Sequence, residues 1–454
     1  MTVPGLRQSL RSFWSDIRAD KGLLLLGIAI GLIGGTMIEE RASWLTISLL
    51  GIATAALVAC GLIIRRGWDS RVTAAVAVGA LTLIVAGTVV RFSASYLNVP
   101  EILVTQVLAS TLGIGALLAG VGRRRQLRLL AVVVLVLVSF YGFRFSVQEP
   151  IDIDVYLLHE AAADALRDGQ NPYTTGNVQV LESLRFDEKD LILEYTYPPL
   201  TLVAYAGSSI LLGDSRFAGA IAIVGSFWLV FALVGRREKA AGHATNLDLA
   251  IVALLCVNPM NYLMIYPAWT EAIALPFLIL AAAFWTKRPL LAAAMLGLAF
   301  ATKQYFIVVA PLLFLLPDEY RWKRAVMAVC VAAATFVPFL LWDARGLWAG
   351  VVEHHLTRSP RADAATVAGV DIIIPTIFTV LVAVAVALVL SRRVATGGQL
   401  LIAIGAVVAL FTFLSVRGFR NTWWLVAVLG TVALGFGQAL EAESEPVEVR
   451  ARSA

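Results

Sequence analysis

The sequence predicts an all-α protein, a polytopic bundle of transmembrane helices, on three observations. Hydrophobic residues make up 59% of the chain and charged residues 15%, against about 45–50% apolar and about 25% charged residues in soluble domains. Apolar runs long enough to cross a hydrocarbon core of roughly 30 Å recur along the chain. The loops between them alternate between Arg/Lys-rich and weakly charged or acidic. We therefore expect about 14 spans, with both termini in the cytoplasm.

The net charge of +5 comes from basic residues gathered in short loops, which is typical of membrane topology and not of nucleic-acid binding. The three cysteines, Cys60, Cys256 and Cys330, lie singly in apolar runs. We predict neither a disulfide framework nor a cysteine metal site from them. The first apolar run follows a basic segment, and many more runs come after it. We interpret it as a retained helix and not as a cleaved signal.

Five spans are expected before the first large loop. They lie near 22–38, 43–64, 72–90, 101–121 and 128–146. The basic loops that follow the second and fourth spans should stay in the cytoplasm. The polar stretch 147–197 should therefore emerge on the outer side.

The next apolar region, 198–235, holds two runs but ends at the basic residues Arg236, Arg237 and Lys239. Two full crossings would place this basic cluster outside, against the positive-inside rule. We expect 198–212 to form a helix in the outer interface and 217–235 to cross once. The further spans are expected near 248–265, 270–286, 289–302, 305–317, 324–342, 370–390, 399–414 and 422–438. The acidic tail 441–454 has the composition of a disordered cytoplasmic segment.

The outer loop 147–197 concentrates polar and aromatic residues, and such loops carry function when a rigid scaffold holds them. Within it, apolar residues recur at helical spacing between Asp154 and Asp168. We therefore expect a helix over this stretch.

Two aspartates stand at the start of this expected helix. If the helix begins at Ile151, residues two apart point to nearly opposite sides. Asp152 would then share a side with Tyr156 and His159, which makes it a better candidate than Asp154 for a reactive, hydrated position. The alternative is that either aspartate caps the helix, where a carboxylate accepts backbone N–H groups and suits the helix dipole.

A second signal is a set of cations on the side where the rule does not expect them. Arg358 and Arg361 fall in one outer loop, Arg417 and Arg420 in another, and Lys303 at the outer end of a short apolar run. A bound phosphate near the outer leaflet would explain them. The alternative is that single arginines reach lipid headgroups or pair with nearby aspartates. That alternative is weakest for Lys303, since its neighbours are apolar.

His354 and His355 lie beside Glu353 in an outer loop, which suggests a metal site at first sight. Adjacent histidines cannot both face one ion on a helix, and no third ligand has the usual spacing. We predict no metal and no cofactor, although a divalent metal is not excluded by the chemistry.

A series of short motifs follows in order along the chain. They are Asp152-Ile-Asp-Val-Tyr156, Gly169, Asn171-Pro-Tyr173, Tyr195-Thr-Tyr-Pro-Pro-Leu200, Asn258-Pro259, Trp269-Thr-Glu271, Arg288-Pro289, Gly297-Leu-Ala and Lys303. Over about residues 130–320, this series resembles the polyprenol-phosphate-mannose-dependent α-1,2-mannosyltransferases of the C-type glycosyltransferase superfamily. The resemblance implies four parts: an N-terminal extension of four helices (1–127), a catalytic module (128–320), C-terminal helices (321–440) and the tail.

The resemblance implies a membrane glycosyltransferase of the plasma membrane that works at the extracytoplasmic face. The donor would be a sugar, mannose first, on a polyprenyl phosphate, and the acceptor would be a glycolipid or glycan; no nucleic-acid partner is expected. Asp152, or Asp154, would be the general base in an inverting reaction, and Lys303, Arg417 and Arg420 would hold the donor phosphate. Substrate contacts would come from Tyr156, His159, Tyr173, Tyr195, Tyr197, Glu271, Gln304, His354 and His355.

A transporter or flippase for a lipid-linked or polar substrate is the main alternative. Transporters usually place ionisable residues near the bilayer midplane on broken helices, whereas the charges here gather at the outer face. A non-catalytic assembly subunit is a further alternative, which would leave the outer charges unexplained.

Overall fold

The computed structural model describes residues 21–36, 43–64, 70–91, 100–118, 123–148, 153–175, 195–240, 246–357, 364–416 and 418–436. Over these ranges the chain is all-helical and contains no strand. Helix is the only regular structure that satisfies every backbone group within a single apolar segment. The predicted fold class is therefore confirmed at the level of an all-α protein.

The helices follow the apolar runs closely. In chain order they are α1 (Lys21–Thr36), α2 (Trp44–Ile63), α3 (Ser70–Arg91), α4 (Pro100–Leu118), α5 (Arg124–Phe145), α6 (Asp154–Arg167), α7 (Pro199–Leu212), α8 (Arg216–Ala240), α9 (Leu247–Cys256), α10 (Met260–Ile265), α11 (Glu271–Phe284), α12 (Pro289–Phe300), α13 (Arg321–Trp348), α14 (His354–Thr357), α15 (Thr376–Ser391), α16 (Gly397–Leu414) and α17 (Arg420–Phe436).

Five of the described helices are long and apolar enough to cross a membrane by length and composition. They are Trp44–Ile63, Arg124–Phe145, Arg216–Arg236, Arg321–Leu356 and Gly397–Leu414. Shorter apolar helices of 10–17 residues account for most of the other expected spans. The chain thus carries several helices suited to a membrane.

Two expected spans are not continuous helices. The expected span over 305–317 is not one α-helix: this stretch holds two short 3-10 helices, Gln304–Val308 and Ala310–Leu313. Pro311 lacks the N–H that a continuing helix needs. The expected span 248–265 breaks at Pro259 into α9 and α10, for the same reason.

The N-terminal helices pack into the rest of the bundle. A row of glycines on α1 meets α3: a Cβ added at Gly31 would lie 2.6 Å from Leu83, and one at Gly34 2.5 Å from Ile84. Small residues at this spacing let two helix backbones approach closely in a membrane. Helices α1 and α2 also contact α17 and α16, and α4 contacts α9. The extension therefore shares its core with the expected catalytic module.

The loop helix α6 is confirmed, and it is tied to the turn between α7 and α8. Glu160 on α6 accepts hydrogen bonds from Ser209 Oγ at 2.7 Å and from the backbone N–H of Ser215 at 2.8 Å. Gly213 closes α7 in the left-handed region, with φ of 86°, which glycine adopts without strain. This packing fixes α6 against α7 and sets the position of His159.

Candidate functional site

Lys303 lies at the centre of a polar group that we call the lysine cluster, formed with Thr270, Glu271, Asn421 and Tyr197. Its Nζ lies 3.1 Å from Glu271 Oε1, donates to Thr270 Oγ1 at 2.5 Å, and stands 4.7 Å from the centre of the Tyr197 ring. The Lys303 side chain is 13% exposed and that of Glu271 1%. A charge pair this buried is maintained only by additional hydrogen bonds.

The chain leaves its helical path at Lys303. Helix α12 ends at Phe300, and Lys303 has extended backbone angles, φ −150° and ψ 138°. The carbonyl of Thr302 accepts a hydrogen bond from Thr201 Oγ1 of α7 at 2.6 Å. Lys303 is therefore presented from a non-helical turn that is pinned to the helix following the outer loop.

Glu271 is the first residue of α11, and a second helix holds its other oxygen. Asn421 Nδ2 on α17 donates to Glu271 Oε2 at 2.7 Å. The turn before α11 contains Ala268 with φ of 58°, a left-handed conformation that is costly for a residue with a Cβ. Tyr205 Oη supports this turn by donating to the Trp269 carbonyl at 2.7 Å. Arg420 precedes Asn421 in sequence, so its backbone adjoins the cluster.

Next to Lys303 lies a group of rings that we call the aromatic cluster: His159, Tyr173, Tyr195, Tyr197 and Tyr205. The His159 ring stacks on Tyr205 at 4.1 Å, and its Nδ1 lies 3.0 Å from Tyr195 Oη. Tyr173 Oη donates to the Tyr197 carbonyl at 2.7 Å. Burial, and secondarily the Lys303 charge, lowers the pKa of His159 from 6.5 to about 3. His159 is therefore a neutral ring at physiological pH.

Helix α14 brings His355 to the backbone between Tyr195 and Tyr197 of the aromatic cluster. Gln304 Nε2 donates to the Thr196 carbonyl at 2.5 Å, and His355 Nε2 lies 2.7 Å from Gln304 Nε2 and 3.1 Å from the same carbonyl. Gly350 allows this approach, since a Cβ there would lie 2.3 Å from the Tyr195 carbonyl oxygen. His354 packs edge-on against His355 at 5.2 Å.

Tyr156 belongs to a different group from the lysine cluster. Its Oη lies 3.5 Å from Asp214 Oδ2, and the Arg216 guanidinium stands 5.1 Å from its ring. Arg216 also donates to the carbonyls of Phe145 and Gln148. This group ties the end of α5 to the start of α8, which is a structural role.

The two candidate bases have different outcomes. Helix α6 begins at Asp154, and Ile153 has extended angles of φ −125° and ψ 139°, so helical spacing does not relate Asp152 to Asp154 as the sequence argument supposed. The Asp154 carboxylate accepts the N–H of Val155 at 2.8 Å from the first turn of the helix; the N-cap residue is Ile153, and no side chain caps the helix there. Asp152 and Arg417 lie outside the described residues.

Sequence reasoning singled out Lys303, Glu271, Gln304, His159, Tyr195, Tyr197 and His355, and the fold brings these side chains into one contiguous group. It missed three partners: Thr270, Asn421 and Tyr205. Thr270 and Asn421 each stand next to a residue that had been singled out. Tyr205 could have been noticed as the aromatic hydroxyl of a mostly apolar helix, because a buried tyrosine hydroxyl usually has a hydrogen-bond partner.

Among the described residues, no group of three or more His, Cys, Asp or Glu side chains is placed to hold a metal ion. No protein-family model, curated protein or solved structure matches this chain. The family resemblance therefore rests on the sequence motifs, and function has to be argued from the geometry and chemistry of the site.

Proposed function

We propose that this protein is an integral membrane glycosyltransferase. It transfers a sugar, mannose in the first instance, from a polyprenyl phosphate to a hydroxyl of a glycolipid or glycan at the outer face of the plasma membrane. The C-type glycosyltransferase motifs support this assignment. One structural observation supports it further: a cation with little exposure is followed along the chain by exposed apolar side chains.

The apolar surface formed by these side chains begins after Lys303. The 3-10 helices of residues 304–313 stand where a full span was expected, and they pack against α15. Ile307, four residues from Lys303, is 72% exposed, and Ile377 and Phe378 on α15 are also exposed. Large exposed apolar side chains in a membrane protein face lipid or a lipid-like ligand. A phosphate at Lys303 with an isoprenoid tail on this surface would satisfy both chemistries.

In the proposed reaction the acceptor oxygen bonds to the anomeric carbon while the bond from that carbon to the phosphate oxygen breaks. The configuration at the anomeric carbon inverts, and the hydroxyl proton passes to Asp152 as general base. The polyprenyl phosphate leaves with one more negative charge than it had in the donor. Fixed cations stabilise that charge as it develops, because they need no reorganisation.

Lys303 suits this role by its hydrogen-bond count. An ammonium group has three donors. Thr270 accepts one of them, and Glu271 Oε1 lies 3.1 Å from Nζ as an ion-pair partner without a directed hydrogen bond. A phosphate oxygen would accept from a remaining donor. Since Glu271 offsets the Lys303 charge, the doubly charged leaving group calls for a second cation. Arg420, next to Asn421, and Arg417 are the candidates.

The transporter alternative has one observation in its favour, the helix break at Pro259, since broken helices are common in transporters. The position of the charges weighs against it. Glu271 is the first residue of α11, Asn421 the second of α17, and Lys303 lies outside any helix. Loop charge assigns the ends that carry these groups to the outer face, whereas an alternating-access site lies near the bilayer midplane.

The test is a transfer assay on the full chain in nanodiscs. Synthetic short-chain polyprenyl-phosphate mannose is supplied with a panel of mannoside acceptors, and released polyprenyl phosphate is counted. We expect acceptor-dependent release that is lost in Asp152→Asn and Lys303→Met and kept in Arg345→Gln, which removes an exposed cation. In proteoliposomes, movement of the intact donor between leaflets without release would replace this proposal with the flippase.

A further inference from the structure

The break between α9 and α10 leaves backbone carbonyls without their helical donors, and hydrocarbon supplies none in exchange. Pro259 has no N–H, so the carbonyl of Leu255, four residues earlier, loses its partner. The side chain of Asn261 replaces it, with Nδ2 donating to that carbonyl at 2.8 Å. The N–H of Asn261 turns instead to the carbonyl of Asn258 at 3.2 Å. The carbonyl of Val257 is thereby released from the helical pattern.

The missing donor for Val257 comes from the N-terminal extension. Gln106 on α4 donates from Nε2 to the Val257 carbonyl at 3.2 Å. Its neighbour Thr105 places Oγ1 3.0 Å from Tyr262 Oη on α10. Both α4 side chains are buried, and α4 packs along α9. Two adjacent residues of one helix thus contact both sides of the break.

The other side of the break is held by the helix that also holds Glu271. Trp424 Nε1 on α17 donates to Asn261 Oδ1 at 2.9 Å, three residues after Asn421. Between the break and Glu271 stands Ala268, with its strained φ of 58°. A strained turn persists only where its surroundings over-determine it. The contacts from α4 and α17 hold residues 257–262, which lead into this turn.

We infer that α4 is a brace for this break, and that Gln106 and Thr105 are positioning residues for the turn that presents Glu271 to Lys303. The N-terminal extension then has a stated role: it supplies the polar groups that let α9 and α10 change direction inside an apolar bundle. The effect of the brace on sugar transfer rests on the proposed function, whereas its effect on the turn does not.

The test is hydrogen–deuterium exchange of the full chain in nanodiscs, read on peptides that cover residues 260–271. Gln106→Met keeps the length of the side chain but cannot donate. We expect these peptides to exchange about tenfold to a hundredfold faster, as the loss of one buried hydrogen bond implies. The matched control is Thr111→Val, which removes a hydroxyl of the same helix that, in the part of the chain the structure describes, donates to the Val107 carbonyl of α4 itself. It should leave residues 260–271 unchanged.

A milder pair guards against a Gln106 variant that does not fold. Thr105→Val and Tyr262→Phe remove the same hydrogen bond from opposite ends, so each should speed exchange in residues 260–271 and the double variant should add little to either. Unchanged exchange in this pair, or full additivity, would overturn the brace. In the transfer assay, Thr105→Val should lower turnover and leave the acceptor KM unchanged. If the wild type transfers no sugar while the exchange results hold, the proposed function fails and the brace stands.

Discussion

Two buried carboxylates occupy equivalent positions in two apolar helices and have different surroundings. Asp248, the second residue of α9, is fully buried, and the guanidinium groups of Arg124 and Arg128 lie 3.2 Å and 3.7 Å from its Oδ2. Glu271, the first residue of α11, meets one cation among the described residues, Lys303. The two arginines stand one turn apart on α5, whereas Lys303 stands in a non-helical turn with its Nζ 4.7 Å from the centre of the Tyr197 ring.

The difference in partners distinguishes a structural ion pair at Asp248 from a candidate site at Glu271. Two arginines on one rigid helix over-compensate Asp248 and fix α5 to α9, with Arg128 47% exposed at the edge. A single lysine that donates to Thr270 and keeps further donor capacity, beside a neutral histidine and tyrosine side chains, supplies the few convergent polar groups of a ligand site. Burial of a charge pair does not by itself indicate function; the partners decide.

Cysteine labelling offers an all-or-none test of whether the Glu271 region and the Asp248 region face opposite sides of the membrane. In a Cys330→Ser background, since Cys330 is exposed, a cysteine at Arg345 should react with an impermeant thiol reagent added outside cells. A cysteine at Arg125 should not react until the cells are opened. Loop charge is the reason for both expectations, and the reverse pattern would invert the topology.

Lys303→Met should have the largest quantitative effect. Loss of a fixed cation beside the developing negative charge should raise the activation free energy of transfer by about 2–4 kcal/mol. It also deprives the buried Glu271 carboxylate of the Lys303 cation and leaves it with the hydrogen bond from Asn421, at a cost in stability of about 3–5 kcal/mol. The double variant Lys303→Met with Glu271→Gln should recover most of the melting temperature and none of the activity. Recovery of both the melting temperature and the activity would mean that Lys303 and Glu271 form a structural ion pair, as Asp248 does with its arginines.

Gly350→Ala should disturb the region around Tyr195 and Lys303, which is predicted to face outside, and not the Asp248 region. A Cβ there meets the backbone oxygen of Tyr195 at 2.3 Å, and a backbone atom cannot move aside cheaply. We expect a loss of stability of about 1–3 kcal/mol and reduced transfer, as the helix that carries His355 shifts away. The control is Gly405→Ala, where the nearest atom is 4.0 Å away. Equal thermal stability of the two variants would contradict the close packing.

Asp248→Asn should lower stability without changing the chemistry. Removal of the charge leaves Arg124 and Arg128 facing each other, but both keep some access to water, so the cost should be about 1–3 kcal/mol. Turnover per folded molecule should equal that of the wild type. A selective loss of turnover at unchanged melting temperature would mean that this end also takes part in the reaction.

His159 should give the smallest effect, a pH dependence of stability. Its pKa is about 3 in the folded chain, against 6.5 for a histidine in water. Between these values the unfolded state binds a proton that the folded state does not, so stability falls as pH falls. The slope is at most about 1.4 kcal/mol per pH unit. His159→Phe should flatten the melting-temperature profile between pH 6.5 and 5; an unaltered slope would assign it to other groups.

Sequence alone determined the helices and the residues worth examining. Runs of apolar residues set where α2 and α16 begin and end, because crossing hydrocarbon demands a length and a composition that are read locally. A lysine among apolar neighbours marked Lys303 for the same local reason. Prolines mark Pro259 and Pro311 as places where a helix can break, but Pro276 and Pro338 lie inside helices that continue past them, so the missing N–H does not by itself decide where a break occurs.

Only the tertiary structure decided which polar groups meet. Glu271 and Asn421 are separated by 150 residues, and Gln304 and His355 by 51. Nothing in a helix period relates positions so distant; their contact depends on how α11, α12, α13 and α17 pack. Tertiary structure also decided that Asp248 belongs to a structural ion pair and Glu271 to a candidate site. Both are acidic residues at the start of a helix, and they differ in the partners that the fold brings to them.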